Sequence, residues 1–254
     1  MTFKALATDF DGTIATHGVV DEPTLAALER LRDAGHVVIL VTGREIEDLR
    51  GIFPELHRFD LIVGENGALL YWPSTQREEL LAKPPPPEFS QRLRERHVDH
   101  LSVGRVIVAT FEPNEHVVLE TIHEQKLELQ VIFNKGAVMV LPSGVNKATG
   151  LQAAASALGM KVEEIVGVGD AENDHAFLEI CGYSVAVANA LEVLKRKVCM
   201  VTKAGHGAGV SEMIDLWLGT GLPTALPPYQ RDVTGELSPT LAGRDEWTSP
   251  ASGG

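Results

Sequence analysis

The stretch Asp9-Phe10-Asp11-Gly12-Thr13 carries the strongest fold signal in the chain. It follows residues 3–8, an apolar-rich segment of the length typical of a buried parallel strand. The two carboxylates therefore stand at the carboxyl end of a strand, where open α/β sheets bind their ligands. Gly12 allows a sharp turn and the close approach of a ligand. Because crowded carboxylates repel each other, this stretch predicts a bound cation or a shared proton.

Composition sets broad limits on the fold and the partners. The 254 residues can form one large domain or two smaller ones, and 44% hydrophobic and 22% charged residues are typical of a globular protein. The net charge of -13 argues against a nucleic-acid partner, although local cations and a metal could still bind a small anion.

Cys181 and Cys199 lie in apolar segments, which predicts buried thiols in a reducing compartment. The sequence has neither a bilayer-spanning apolar run nor a signal-peptide pattern, so we expect a cytoplasmic protein without a membrane partner.

Two blocks of alternating strands and helices flank the middle of the chain. The first block is predicted as helix 22–34, strand 36–41, helix 46–53 and strand 61–63. The second block is predicted as helix 148–158, strand 164–168, helix 174–180, strands 184–188 and 199–202, and helix 210–218. This alternation predicts an α/β fold with a doubly wound parallel sheet and right-handed crossovers.

The segment between the two blocks has a different rhythm. It is predicted as helix 88–97, strand 103–111, helix 114–126 and a hairpin of strands 129–133 and 137–141 around Asn134-Lys135-Gly136. We therefore predict a core domain of residues 1–72 and 143–220, interrupted by a small α+β domain of residues 73–142. Residues 221–254 are rich in Pro, Gly, Ser and Thr, which predicts a linker or a disordered tail that could lead to a further domain or partner.

Each predicted core strand ends in a residue type that can bind phosphate. Thr42 and Gly43 offer a hydroxyl and an amide beside a helix start, which favours anions. Lys147 precedes a helix and could neutralise phosphate oxygens. The run 169–174, Gly-Asp-Ala-Glu-Asn-Asp, adds carboxylates and an amide. Clustered hard oxygen ligands suit Mg²⁺, which binds one or two carboxylates together with a substrate phosphate.

This ordered set resembles the haloacid dehalogenase-like phosphatase superfamily. Asp9-x-Asp11-Gly12-Thr13 matches its first motif, Thr42 its second, Lys147 its third and Gly169-Asp170-x-x-Asn173-Asp174 its fourth. Further short runs, namely Glu65-Asn66-Gly67-Ala68, Ala188-Asn189-Ala190, Val201-Thr202 and Gly209-Val210, are similar to the Cof-like branch, which includes sugar-phosphate phosphatases. The resemblance covers residues 3–218. An insert between the second and third motifs corresponds to the superfamily's second cap class, and its small size resembles the caps of sucrose-phosphate and archaeal phosphoglycolate phosphatases.

The resemblance implies a Rossmann-like core with a small cap, and a Mg²⁺-dependent phosphomonoester hydrolase acting on a small phosphorylated metabolite such as a sugar phosphate or a phosphoglycolate-like ester. By the same resemblance, Asp9 is the nucleophile that forms an aspartyl-phosphate, and Asp11 is the general acid and base. Mg²⁺ would be bound by Asp9, the carbonyl of Asp11 and Asp170, with Asp174 orienting metal-bound waters. The expected phosphate ligands are Thr42, Gly43, Lys147 and Asn173.

Several alternatives stay open at this point. Arg44 is a candidate substrate-binding residue or a partner in a surface ion pair. Asn134 and Lys135 form a simple hairpin turn or lean over the pocket and bind the substrate. A phosphomutase of the same superfamily and a non-catalytic regulatory module are the alternative functions, and the retained acidic residues weigh against the second.

Overall fold

The computed structural model describes residues 3–222, 229–231 and 237–239. Its strands are β1 (Ala5–Thr8), β2 (Val37–Val41), β3 (Leu61–Gly64), β4 (Leu69–Trp72), β5 (Arg77–Leu80), β6 (Ser102–Val103), β7 (Val108–Phe111), β8 (Leu129–Asn134), β9 (Ala137–Pro142), β10 (Ile165–Gly169), β11 (Tyr183–Ala186), β12 (Met200–Val201), β13 (Tyr229–Arg231) and β14 (Leu237–Pro239). Its α-helices are α1 (Glu22–Asp33), α2 (Ile46–Ile52), α3 (Pro87–Glu95), α4 (Glu115–Glu124), α5 (Lys147–Ala157), α6 (His175–Ile180), α7 (Glu192–Lys195) and α8 (His206–Gly219). Within residues 3–222, no helix combines the length and the apolar character that a bilayer crossing requires.

The central sheet confirms the predicted α/β fold. Its order is β12-β11-β10-β1-β2-β3-β4-β5, in which the strands from β12 to β3 run parallel and β4 and β5 are antiparallel additions at one edge. Strand β1 lies in the middle, with Thr8 opposite Val168 of β10 and Leu40 of β2. The residues after these three strands therefore emerge side by side at the same edge of the sheet.

The central strands form the main hydrophobic core. Ala5, Leu6 and Ala7 of β1 are fully buried, as expected for a strand covered by helices on both faces. Asp21 caps the start of helix α1, where its side chain accepts a hydrogen bond from the Thr24 amide, and α1 packs beside α8. This buried frame holds the strand ends in fixed positions.

A second antiparallel sheet, with the order β6-β7-β9-β8, forms the cap. Val138 and Val140 of β9 pack with Phe89 of α3 and Val118 of α4 in the cap's own core. The alternate residues of β9 belong to another apolar cluster that joins the cap to the core: Ala68, Val106, Ile107, Met139 and Leu141. One face of the cap sheet therefore supports the cap helices, and the other faces the core domain.

Some boundaries differ from those predicted. Residues 103–111 are predicted as one strand, but they contain the end of β6, a turn at 104–107 and β7. The chain reverses there because Gly104 N donates to Ile107 O at 2.9 Å, which pairs β6 with β7. Strand β5 lies within the range assigned to the cap, yet it pairs with β4 in the central sheet as a charged, largely exposed edge strand. The predicted tail, 221–254, falls mostly outside the described residues, which include an antiparallel pairing of β13 with β14.

Candidate active site

The ends of β1, β2 and β10 bring the predicted acidic residues and Thr42 to one point. Asp9 and Asp170 are both buried there, and the Thr13 hydroxyl donates to Asp170 Oδ1 at 3.2 Å. Gly12 has φ +92°, and a Cβ at this position would overlap Asp170 Oδ2. The turn after β1 therefore requires glycine, both for its backbone angle and for the space that Asp170 occupies.

A buried lysine neutralises two of the carboxylates. Lys147 Nζ lies 2.5 Å from Asp9 Oδ1 and 2.6 Å from Asp174 Oδ1. It is held there because Asn146 caps helix α5, accepting hydrogen bonds from the amides of Ala148 and Thr149. Burial alone would lower the pKa of Lys147, but the two carboxylates outweigh this effect and raise it, so the ammonium stays charged.

Asp9 lies in an environment that disfavours its charge. Burial, followed by the nearby charge of Asp174, raises the pKa of Asp9 to about 7, while Lys147 opposes this shift. Burial likewise raises the pKa of Asp170. Additional positive charge beside these carboxylates would favour their ionised forms.

The carboxylates fit a divalent cation. Oxygen atoms of Asp9, Asp170 and Asp174 lie within 4.8 Å of one another. Both oxygens of Asp174 already have partners: Oδ1 binds Lys147, and Oδ2 accepts from the amides of Asp170 at 2.8 Å and Ala171 at 2.9 Å. Asp170 also has partners on both oxygens, but its Oδ2 is bonded by the half-exposed Lys135 of the cap, which a cation could displace, whereas the partners of Asp174 are buried core groups. Asp9 and Asp170 are therefore the better placed ligands, and Asp174 is suited to an orienting role.

Asp11 turns away from these carboxylates and towards Arg44. Its Oδ2 accepts from Arg44 Nε at 2.6 Å, and its Oδ1 accepts from Arg44 Nη2 at 2.8 Å. Arg44 also binds Asp48 at 2.5 Å, and the hydrogen bond with Asp11 raises the pKa of the guanidinium. Arg44 thus forms an ion pair and also lines the cavity, so the two alternatives for this residue are not exclusive.

The tip of the cap hairpin reaches the same acidic residues. Lys135 Nζ lies 2.7 Å from Asp170 Oδ2 and 3.0 Å from the backbone oxygen of Asp11. About half of the Lys135 side chain, 46%, remains exposed, whereas Asp170 is almost fully buried. Asn134 lines the cavity next to it, and its buried Oδ1 has no hydrogen-bond partner within the described part of the chain. The hairpin tip therefore lies over the site and contributes side chains to it, in addition to reversing the chain direction.

Thr42, Gly43 and Asn173 lie at the phosphate-binding end predicted from the sequence. Thr42 is buried, and its hydroxyl accepts from the Arg44 amide at 3.1 Å, while Gly43 and Asn173 line the cavity. Asn173 Nδ2 donates to Asn66 Oδ1 at 3.0 Å. Asn173 Oδ1 and Asn66 Nδ2 are buried and have no partner among residues 3–222. Unpaired buried polar atoms are costly, so this pair is suited to a polar ligand.

A cavity of about 400 Å³ lies between core and cap. Its core wall includes Asp9, Asp11, Arg44, Asp48, Lys147 and Asn173, and its cap wall includes His100, Ser102, Ile107, Thr110, Phe111, Asn134 and Met139. A volume of this size fits a small metabolite. The cavity thus has a charged end formed by the core and a mixed polar and apolar wall formed by the cap.

Sequence reasoning assigned no role to some of the residues that shape this site. Asn66 follows the third parallel strand, and the rule that ligands bind at strand ends could have pointed to it. Asn189 Nδ2 donates to the Gly12 carbonyl at 2.8 Å, and His206 Nδ1 lies 3.1 Å from the same oxygen. The cap residues Ser102 and Thr110 carry no periodic or motif signal in the sequence.

Comparisons with known proteins agree with this geometry. A family model described as haloacid dehalogenase-like hydrolase matches residues 6–128 and 105–214. A phosphoglycolate phosphatase from Methanothermobacter thermautotrophicus is 28% identical over 219 residues, which cover 85% of this chain and 99% of that protein.

Solved structures share the fold at low sequence identity. The structure of Thermoplasma acidophilum 0175 superposes with a TM-score of 0.73 at 14% identity, covering 86% of this chain and 99% of its own. The sugar phosphatase BT4131, described as a member of HAD subclass IIB, superposes with a TM-score of 0.66 at 20% identity, covering 84% of this chain and 98% of its own. The region matched by the family model, residues 6–128 and 105–214, includes the cap.

Proposed function

Since the chain belongs to the haloacid dehalogenase-like hydrolase family, we propose that it is a Mg²⁺-dependent phosphatase that hydrolyses a small phosphorylated metabolite through an aspartyl-phosphate. The observation that carries this proposal is the position of Asp9. Its carboxylate is buried, bonded to Lys147 and open to the cavity at the point where three strand ends meet. A carboxylate held in this way is suited to attack a phosphorus atom.

The first step transfers the phosphoryl group to the protein. A carboxylate oxygen of Asp9 attacks phosphorus in line with the ester oxygen, the P–O bond to the leaving group breaks, and Asp11 donates a proton to the departing alkoxide. In the second step, Asp11 takes a proton from water and the resulting hydroxide attacks the phosphorus of the aspartyl-phosphate. The P–O bond to Asp9 breaks, which regenerates the Asp9 carboxylate and releases inorganic phosphate. Because the Asp11 carboxylate is bonded to Arg44 in this structure, it must rotate towards the reacting oxygen in both steps.

The phosphate is bound by donors from three segments: the end of β2, the start of α5 and the turn after β10. We assign its oxygens to the Thr42 hydroxyl, the Gly43 amide, Lys147 and Asn173, all of which lie at the charged end of the cavity. Asp9, Asp170 and the backbone oxygen of Asp11 would bind Mg²⁺. The ion would supply positive charge that relieves the repulsion between the carboxylates and the phosphate.

Two leaving-group classes follow from the relatives. A phosphoglycolate phosphatase is similar over 85% of this chain, and a sugar phosphatase shares the fold. Either a glycolate or a monosaccharide is compatible with a cavity of about 400 Å³. We place the activity in the cytoplasm because both cysteines, Cys181 and Cys199, are free thiols.

A phosphatase assay tests the proposal directly. We expect the purified chain to hydrolyse p-nitrophenyl phosphate in the presence of Mg²⁺ and to lose this activity with a chelator or with the substitution Asp9→Asn. A panel containing 2-phosphoglycolate, glycerol 3-phosphate and glucose 6-phosphate then ranks the leaving groups. Hydrolysis that is unaffected by Asp9→Asn would exclude the aspartyl-phosphate route.

A further inference from the structure

Glu65 is a buried carboxylate that lies outside the catalytic set described above. It follows β3 in the core and is only 1% exposed. Its Oε1 accepts from the amide of Arg105 at 2.8 Å, and its Oε2 accepts from the amides of Val106 at 2.7 Å and Ile107 at 2.8 Å. All three amides belong to the loop 104–107 between β6 and β7 of the cap. A single core side chain therefore accepts hydrogen bonds from three backbone amides of one cap loop.

The fit between this carboxylate and the loop is close. A Cβ at Gly104 would lie 2.7 Å from Glu65 Oε1 and 2.8 Å from its Cδ, so only glycine allows the loop to approach without a shift. Val106 and Ile107 pack with Ala68 and Met139 in the apolar cluster around the carboxylate. In such surroundings the three amides have no ready alternative partner if the carboxylate is lost.

The loop bound by Glu65 supports the wall of the cavity that faces the leaving group. Ser102 precedes it and Ile107 is part of it, and both line the cavity. Beyond it, Ala109, Thr110 and Phe111 of β7 continue the same wall. Moving the loop would therefore move the surface that contacts the leaving group.

The turn that carries Glu65 is also bonded to the phosphate-binding end. The Glu65 amide donates to Arg44 O at 3.0 Å, and the Asn66 amide donates to Thr42 O at 2.9 Å. Asn66 Oδ1 accepts from Asn173 Nδ2 at 3.0 Å. Glu65 and Asn66 both have positive φ values, 49° and 55°, which non-glycine residues rarely adopt without a requirement from their surroundings.

We propose that Glu65 is a positioning residue that fixes the leaving-group wall of the cap relative to the phosphate-binding end of the core. Its carboxylate binds the cap loop, and its backbone belongs to the turn that binds the segment from Thr42 to Arg44. The inference rests on the proposed phosphatase function. It assigns to Glu65 a role in substrate affinity rather than in the transfer of the phosphoryl group.

The test separates the two ends of the cavity with different probes. For Glu65→Gln, we expect the KM for glucose 6-phosphate to rise about tenfold, because the wall that contacts the sugar is no longer held in place. Inhibition by inorganic phosphate, which occupies the phosphate end alone, should stay within about twofold, as should kcat for p-nitrophenyl phosphate. Amide hydrogen exchange at 105–107 should become at least about tenfold faster in the variant.

Glu78→Gln is the matched control. Glu78 bonds the same loop through the Arg105 side chain, at 3.0 Å from Nε, but it makes no contact with the loop amides in the described structure. Glu78→Gln should leave the KM for glucose 6-phosphate and the amide exchange at 105–107 unchanged. Gly104→Ala is a second test, which keeps Glu65 and displaces the loop from the other side. It should likewise raise the KM for glucose 6-phosphate while leaving phosphate inhibition unchanged. This test remains usable if Glu65→Gln fails to fold.

The inference is overturned if KM, phosphate inhibition and kcat change by the same factor, or if none changes although exchange at 105–107 accelerates. If the wild-type protein hydrolyses no ester, the proposed function fails separately. Calorimetric binding of glucose 6-phosphate and of inorganic phosphate then decides the role of Glu65. A loss of affinity in Glu65→Gln confined to the sugar ester would support it, and equal losses or no loss would overturn it.

Discussion

The core and the cap bring side chains to one cavity by different means. In the core, the reactive groups leave the ends of neighbouring buried strands, and partners that are themselves buried hold them, as Lys147 holds Asp9. In the cap, Lys135 projects from a hairpin tip with 46% of its side chain exposed. From this comparison we expect the chemistry to depend on the buried strand ends, and the exposed cap contacts to be easier to replace.

The largest expected effect is on the nucleophile of the core. Asp9→Asn replaces a carboxylate with an amide of the same shape that is a poor nucleophile, so turnover of p-nitrophenyl phosphate should fall by at least about a thousandfold. The circular dichroism spectrum should not change. Asp215→Asn, a change of the same kind at an exposed surface ion pair with Arg30, should retain full activity. Near-normal turnover by Asp9→Asn would mean that the core chemistry is assigned to the wrong residue.

The second largest effect should be on stability, at the buried lysine. Lys147→Met leaves the carboxylates of Asp9 and Asp174 buried without their shared ammonium, and breaking a buried ion pair in this way costs about 3–5 kcal/mol. Denaturant unfolding of both proteins measures this difference. A loss below about 1 kcal/mol, the size expected for an exposed ion pair, would mean that the buried core ion pair contributes no more to stability than the exposed cap contact.

The strand ends could be predicted because their signals are local. Asp9, Thr42 and Asp170 each follow a short apolar run, and parallel strands place their carboxyl ends together whatever the intervening sequence. The inserted cap was predictable for a similar reason, since its helices and hairpin break the alternation of the core. The predicted roles of these residues stay predictions, because geometry brings them together without testing what they do.

The contacts between the two regions could not be predicted. Glu65 and the loop 104–107 are about forty residues apart, and their contact follows neither a helical nor a strand period. The tip residue Lys135 was recognisable as part of a turn, but its contact with Asp170 depends on how the cap docks on the core. Strand β5 was missed because three of its four residues are charged and it carries no apolar alternation, as is common for an edge strand.

Metal binding should stabilise the core. Because Mg²⁺ would bind the folded arrangement of Asp9 and Asp170 and not the unfolded chain, an excess of about a hundredfold over the dissociation constant should add about 2.7 kcal/mol. Thermal unfolding with Mg²⁺ and with chelator measures this effect. Asp170→Ala should lose most of the response, whereas Asp215→Asn should keep it. A melting temperature that is indifferent to Mg²⁺ in the wild-type protein would contradict the metal site.

A smaller effect should appear in the pH dependence of the chelated protein. The pKa of Asp9 is raised to about 7 by burial and by Asp174, above the value near 4 of an unfolded chain. The contribution of this group to stability is therefore fully present below about pH 4 and is lost as the pH rises through about 7. Melting curves between pH 5 and 8 should show the wild type losing stability relative to Asp9→Asn. Parallel curves would mean that Lys147 fully compensates the charge of Asp9.

The smallest effect concerns the cap contact at Lys135. Its ammonium binds Asp170 Oδ2 and the backbone oxygen of Asp11, two of the oxygens that would bind Mg²⁺. Like charges compete for the same ligands, so Lys135→Met should bind Mg²⁺ about tenfold more tightly in calorimetry, a gain of about 1.4 kcal/mol. Since the ion pair is half exposed, stability should change by less than about 1 kcal/mol.

The kinetic consequence of Lys135→Met separates the two regions most sharply. With saturating Mg²⁺, turnover of p-nitrophenyl phosphate should stay within about threefold of wild type, because the core donors to phosphate are intact. The ranking of 2-phosphoglycolate against glucose 6-phosphate should change, since Lys135 and Asn134 lie at the cavity where leaving groups differ. Lys126→Met, at an exposed cap position, should alter neither the metal affinity nor the ranking. If Lys135→Met instead abolishes turnover of every ester without changing Mg²⁺ affinity, the cap lysine acts in phosphoryl transfer itself, and the chemistry is shared between the two regions.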